Sequence, residues 1–232
     1  MNQAEVLVPA IKNALPQLST VKSCAMIGCG TGHIELSLVG ECCPNVTELA
    51  AVEPDADQMV ELKTNVSQLI PTVSVDFYQE TVQSWTGSSG KLFDAVLLFH
   101  CLYHVRPSER PGLFKKLFDH VVVSGGLVLI LVSPCDRRNV KGFNLVLQTN
   151  SYIDGIQIRD VAKSAGFREC CQLEIECQVD VQEPNDDLMA MIMFFNKHKA
   201  MSLKETRRVV KEEFGDMKTV PNDNWFGAFI KP

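Results

Sequence analysis

The chain has 232 residues, 46% of them apolar and 22% charged, with a formal net charge of −6 and a sequence pI near 5.4. This composition excludes a disordered or fibrous chain, the acidic balance disfavours nucleic acid or an anionic membrane as partner, and no apolar run reaches the roughly 18 residues that span a bilayer. At about 150 residues per domain, one domain over 1–232 is expected, with a cofactor-binding half (1–134) and a substrate-side half (135–232). The start, Met1 to Glu5, has no secretory pattern. Nine cysteines without a C-x-x-C pair read as reduced thiols of a cytoplasmic protein, with no metal site.

In chain order, short apolar runs at 24–28, 49–53, 73–78, 93–99 and 127–133 alternate with segments of helical period. The segment after the second run places Met59, Leu62, Val66 and Leu69 on one stripe, with Asp55 as cap and Gln58 completing a capping-box pattern. A further helix is predicted from Leu113, Phe114, Leu117, Phe118 and Val121, ended by Ser124-Gly125-Gly126. The run 127–132 is apolar on both faces, as a central parallel strand should be. Beyond Pro134 the pattern predicts a helix over 154–165, a long strand over 170–181, helices over 186–195 and 203–214, and a closing strand over 225–230. Strand alternating with helix predicts an α/β fold with a doubly wound parallel sheet.

The first run leads into Gly28-Cys29-Gly30-Thr31-Gly32-His33, where glycines allow a sharp bend and close approach of a ligand to the main chain. The second run ends in Glu53, about where such folds place a carboxylate that accepts from ribose hydroxyls. Together they indicate an adenosine-type cofactor. A dinucleotide fingerprint needs Gly or Ala where His33 stands. The G-x-G-x-G form points instead to S-adenosyl-L-methionine. A bare structural turn with Glu53 as a solvated charge, and a nicotinamide or flavin oxidoreductase, are the alternatives.

The segments Met26-Ile27-Gly28-Cys29-Gly30-Thr31-Gly32, Ala51-Val52-Glu53-Pro54-Asp55, Phe77-Tyr78-Gln79-Glu80-Thr81 and Phe93-Asp94-Ala95-Val96 through Leu102-Tyr103-His104-Val105 occur in order. They resemble the successive motifs of the histamine N-methyltransferase family, and weaker similarity extends over nearly the whole chain. The resemblance implies a mostly parallel seven-stranded sheet of the Rossmann-like methyltransferase type. It further implies that Gly28, Gly30 and Gly32 hold the methionine part of the cofactor, Glu53 the ribose, Gln58 the region near ribose and adenine, Thr81 the adenine edge, and that Phe99 packs on the cofactor. His100 falls where the family has a substrate-binding glutamine and is expected to act in catalysis as base or relay, as well as to bind substrate. Tyr103, His104, Tyr152, Asn224 and Trp225 are the expected pocket walls. Family members carry further N-terminal helices with an acidic residue that grips the substrate amine, and this chain has one short helix before Val21.

The expected activity is methyl transfer to a small amine or imidazole compound by a monomer. A catalytically inactive cofactor-binding partner subunit is the alternative.

Overall fold

The computed structural model describes residues 3–85, 90–133, 155–180, 208, 219–221 and 224–232. Helix α1 (Gln3–Ala14) and a 3-10 turn (Pro16–Thr20) lead into β1 (Ser23–Ile27). Then come α2 (His33–Cys42), β2 (Glu48–Val52), α3 (Ala56–Leu69), β3 (Ser74–Tyr78), the single turn α4 (Val82–Trp85) and β4 (Phe93–Phe99). A 3-10 turn (Leu102–His104), α5 (Arg110–His120) and β5 (Val122–Val132) follow. The second half contributes α6 (Gly155–Ser164), β6 (Arg168–Ile175), β7 (Gln178–Asp180), β8 (Thr219–Pro221) and β9 (Asn224–Ile230).

Seven strands form one sheet in the order β3-β2-β1-β4-β5-β9-β6, and β7 pairs with β8 in a separate ribbon. Strands β1 to β5 pair in parallel, and β9 lies antiparallel between β5 and β6. The chain winds outward from β1 to β3, then returns to the other side of β1 as β4. Ligands of such sheets bind at this reversal, beyond the carboxyl ends of the strands.

Side chains alternate across each strand and divide the core in two. Cys24 and Met26 of β1 face the layer formed by α1, α2 and α3, with Leu7, Ile11, Leu36, Leu38 and Leu62 fully buried there. Ala25 and Ile27 face the layer of α4, α5 and α6, with Trp85, Phe114, Leu117 and Ile158. Burial on both faces explains the unbroken apolar runs of β4 and β5. The expected doubly wound sheet is thus observed, with helices on both sides.

Three expectations are corrected. Ser124-Gly125-Gly126 does not end a helix: α5 stops at His120, and these residues lie within β5. There the pairing with β4 shifts between Phe93–Val122 and Ala95–Leu127, and Gly125 takes a φ of +79°, a bulge geometry that imitates a helix stop in sequence. The run 170–181 is not one strand, because β6 ends at Ile175 and β7 pairs with β8 instead. Gln58 does not close a capping box. Asp55 accepts from the amides of Asp57 and Gln58, but its own amide is taken by Glu53 Oε1 at 3.0 Å. Tyr152 and the helices expected over 186–195 and 203–214 lie outside the described residues, Arg208 excepted.

Candidate active site

Gly28, Gly30 and Gly32 all take left-handed φ values, +62°, +56° and +77°, which L side chains rarely adopt. Space is also short. A Cβ on Gly28 would meet Cys101 Cβ at 2.5 Å, one on Gly30 would meet Gln58 Oε1 at 2.7 Å, and one on Gly32 would meet Leu62 Cδ1 at 2.5 Å. The turn is anchored at both ends: the Gly28 amide donates to Val52 O at 2.7 Å, and Asn65 Nδ2 in α3 donates to Thr31 O at 2.9 Å.

Glu53, at the carboxyl end of β2 and buried, faces this turn. Its Oε2 accepts from the Gly30 amide at 2.8 Å and its Oε1 from the Asp55 amide. A carboxylate has about four acceptor positions, so two bonds orient Glu53 and leave it capacity for hydroxyl donors. Gln58, half-buried on the first turn of α3, sends its amide to Gly30. Glycine turn, carboxylate and amide therefore converge. Thr81 is exposed and caps α4: its hydroxyl receives the Ser84 amide at 3.4 Å and lies 3.2 Å from Ser84 Oγ. Phe99 is buried and meets Phe226 edge-on, with centroids 6.5 Å apart.

His100, directly after β4, is the only non-glycine residue with positive φ (+50°) among the described residues. Such backbone costs about 1–2 kcal/mol and persists where surrounding structure enforces it. The enforcement is visible: the His100 amide donates to Leu131 O at 2.9 Å, and the ring stacks on Tyr103 with an interplanar angle of 14°. Nδ1 lies 3.4 Å from the Tyr103 hydroxyl, whereas Nε2 is buried with no hydrogen-bond partner among the described residues. Burial lowers the imidazole pKa to about 4, so the ring is neutral at pH 7. The Tyr103 hydroxyl receives the Ser133 amide, and Ser133 Oγ donates to Asn224 Oδ1 at 3.1 Å.

His100, Tyr103 and Asn224 are thus joined through Ser133, whose role no local pattern signals. Trp225 is buried on the opposite face of β9, against α6 and Phe229, with Gly155 directly beneath its ring. His104 is exposed on the 3-10 turn after β4. Asn65, Cys101 and Glu35 also belong to the neighbourhood of the turn; in sequence they read as ordinary positions of α3, a loop and α2.

Among the described residues no group of His, Cys, Asp and Glu could hold a metal, and no helix is long and apolar enough to cross a membrane. An open groove lined by Lys163, Phe167, Arg168 and Gln172 runs along the edge strand β6, apart from the glycine turn.

Residues 25–126 match the family model described as a methyltransferase domain. The match spans less than half of the chain. No curated protein matches it. Among solved structures, a Bacillus halodurans C-125 protein provisionally described as a methyltransferase is 12% identical, with a TM-score of 0.66 over 96% of this chain and 99% of that one. The N-methyltransferase NodS of Bradyrhizobium japonicum WM9, solved with S-adenosyl-L-homocysteine, is 11% identical, with a TM-score of 0.60 over 100% and 89%. The cyclopropane synthase MmaA2 of Mycobacterium tuberculosis is 12% identical, with a TM-score of 0.64 over 100% and 86%. At such identities these structures show the fold alone, seven strands with helices on both sides, and neither an activity nor a substrate.

Proposed function

We propose that this protein is an S-adenosylmethionine-dependent methyltransferase that methylates a nitrogen of a small amine or imidazole compound. The observation that carries the reading is Glu53 held across the glycine turn by the Gly30 amide, at the point where the sheet reverses its winding. The residues fit the cofactor: Cβ atoms on Gly28, Gly30 and Gly32 would crowd the bend, and Glu53 retains acceptor positions for ribose hydroxyls. When bound, S-adenosylmethionine supplies a methyl group already activated on a sulfonium.

The protein's task is then positioning, which can contribute about 7–11 kcal/mol in favourable cases. Gly28, Gly30 and Gly32 admit the amino-acid portion, Glu53 and Gln58 hold the ribose side, and Thr81 stands at the adenine edge. Phe99 fills the floor at the end of β4. His100 orients the acceptor: its neutral Nε2 accepts a hydrogen bond from a substrate N–H. A group whose conjugate acid has a pKa of about 4 is a weak base, so this role replaces that of base or relay and suits an acceptor nitrogen already unprotonated. An imidazole substrate, with a reference pKa of about 6.5, meets that requirement. Tyr103, His104, Tyr152, Asn224 and Trp225 are proposed as the surrounding walls.

The test is thermal unfolding with S-adenosylmethionine against nicotinamide dinucleotides. Ligand at a hundred times its dissociation constant should stabilise by about 2.7 kcal/mol, and only the sulfonium should do so. A panel of amines and imidazoles read by mass spectrometry follows. Stabilisation without any methylated product would favour a non-catalytic cofactor-binding subunit.

A further inference from the structure

A phenol has one proton to give and can accept at its oxygen. The Tyr103 oxygen receives the Ser133 amide, and its own proton is within donating range of Ser133 O, at 3.5 Å. Toward His100 Nδ1, 3.4 Å away, the oxygen is then an acceptor, and the ring nitrogen must bring the hydrogen. The far side of the ring gives the same answer. A neutral imidazole protonates one nitrogen only, and Nε2 is buried with no hydrogen-bond partner among the described residues. A buried N–H without an acceptor is rarer in folded proteins than an under-satisfied acceptor, which puts the bare nitrogen at Nε2 and the hydrogen at Nδ1.

Three strands hold this arrangement. Ser133 directly follows β5, and its Oγ donates at 3.1 Å to Asn224 Oδ1, buried at the start of β9. His100 directly follows β4, is tied through its amide to Leu131 O of β5, and stacks its ring on Tyr103 with centroids 6.2 Å apart. The left-handed φ of His100 aims the ring at that phenol rather than along the strand.

We propose that Tyr103, clamped by Ser133, is a positioning residue that holds His100 in the Nδ1–H form, so that Nε2 can only accept and selects a methyl acceptor bearing an N–H besides the nitrogen that is methylated. The selection rests on the function proposed above; the tautomer does not. With imidazole as acceptor, its bare nitrogen forms a bond to the methyl carbon as the carbon–sulfur bond breaks, and sulfur keeps the electron pair. The other nitrogen donates its N–H to Nε2 during the step, and that proton then leaves to solvent, giving neutral 1-methylimidazole.

Nitrogen-15 NMR of protein labelled at histidine distinguishes a protonated from a bare ring nitrogen, the His100 signals being those lost in His100→Gln. At pH 7 wild type should show Nδ1 protonated and Nε2 bare, and Tyr103→Phe should show a mixture of the two tautomers. A protonated Nε2 in wild type, or the wild-type pattern in Tyr103→Phe, overturns the proposal. Should Tyr103→Phe fail to fold, replacement of the three tyrosines by 3-fluorotyrosine keeps the hydroxyl but weakens its oxygen as an acceptor; the Nδ1 resonance should move, and an unmoved one overturns the proposal. In rate assays with S-adenosylmethionine, kcat/KM for imidazole should exceed that for 1-methylimidazole, which lacks the N–H, by about tenfold or more. Tyr103→Phe should bring that ratio toward one, and a wild-type ratio of one overturns the selection. Methylation of neither compound would remove the acceptor class proposed above, while the spectra still decide the tautomer.

Discussion

The Glu53 carboxylate is fixed before any ligand arrives, by main-chain donors from Gly30 and Asp55. An acceptor so placed needs no rearrangement to receive ribose hydroxyls. Glu53→Ala should weaken S-adenosylmethionine binding by about 1.5–3 kcal/mol, the usual worth of hydrogen bonds to a charged group; titration calorimetry with unchanged affinity would remove Glu53 from the site. His100 differs, since its unpartnered Nε2 lies beyond β4 rather than at the glycine turn. His100→Gln should leave cofactor affinity within a factor of about two while lowering turnover by about tenfold. Steady-state rates equal to wild type would confine His100 to its contacts with Tyr103 and Leu131.

At the scale of elements, the site depends on how β1 and β4 are held together at the opposite end of the sheet. Asp94 Oδ2, at the start of β4, accepts from the amides of Lys22 and Ser23, both at 2.9 Å, and from Ser23 Oγ at 3.1 Å. These bonds pin the register in which Cys24 pairs with Ala95 and Met26 with Leu97, and hence the relative height of Gly28 and His100. Asp94→Ala leaves two main-chain donors without their acceptor and should destabilise by about 2–3 kcal/mol. Urea denaturation with a midpoint equal to wild type would contradict this. The bulge in β5 and the antiparallel insertion of β9 are likewise element-scale features. Through them Ser133 and Asn224 come within 3.1 Å of each other from strands far apart in the chain.

For the whole molecule, two buried groups set opposing limits on stability. The His100 pKa is lowered from 6.5 to about 4, so between these values the unfolded chain binds a proton that the native state refuses, and stability falls as pH drops through that window. Glu35 is raised from 4.5 to about 8, so the native state binds a proton that the unfolded chain has released, and stability falls as pH rises through that window. Urea titrations of the ligand-free protein should therefore show His100→Gln flattening the acid limb and Glu35→Gln the limb toward alkaline pH. Limbs unchanged by the substitutions would show that neither group titrates as its burial implies.

The residues around the glycine turn and the alternation of strand and helix were legible in the sequence for a physical reason. A left-handed bend beside a ligand tolerates little but glycine, and a sheet covered on both faces requires continuous apolar strands. Glu53 was legible through its distance from that bend. Glu35, Asn65 and Ser133 were not, because a Glu in a helix or a Ser after a strand reads as a solvated surface group until packing shows what surrounds it. The Ser-Gly-Gly segment misled for a related reason: glycine marks a helix stop and a strand bulge alike, and only pairing with β4 separates them. Local chain chemistry thus determined the winding, the turn and its carboxylate, since those follow from backbone conformation and burial pattern. The tertiary structure alone decided which polar groups lose water and partners, Glu35 and His100 among them, because desolvation depends on every element packed around a group and on no property of its neighbours in sequence.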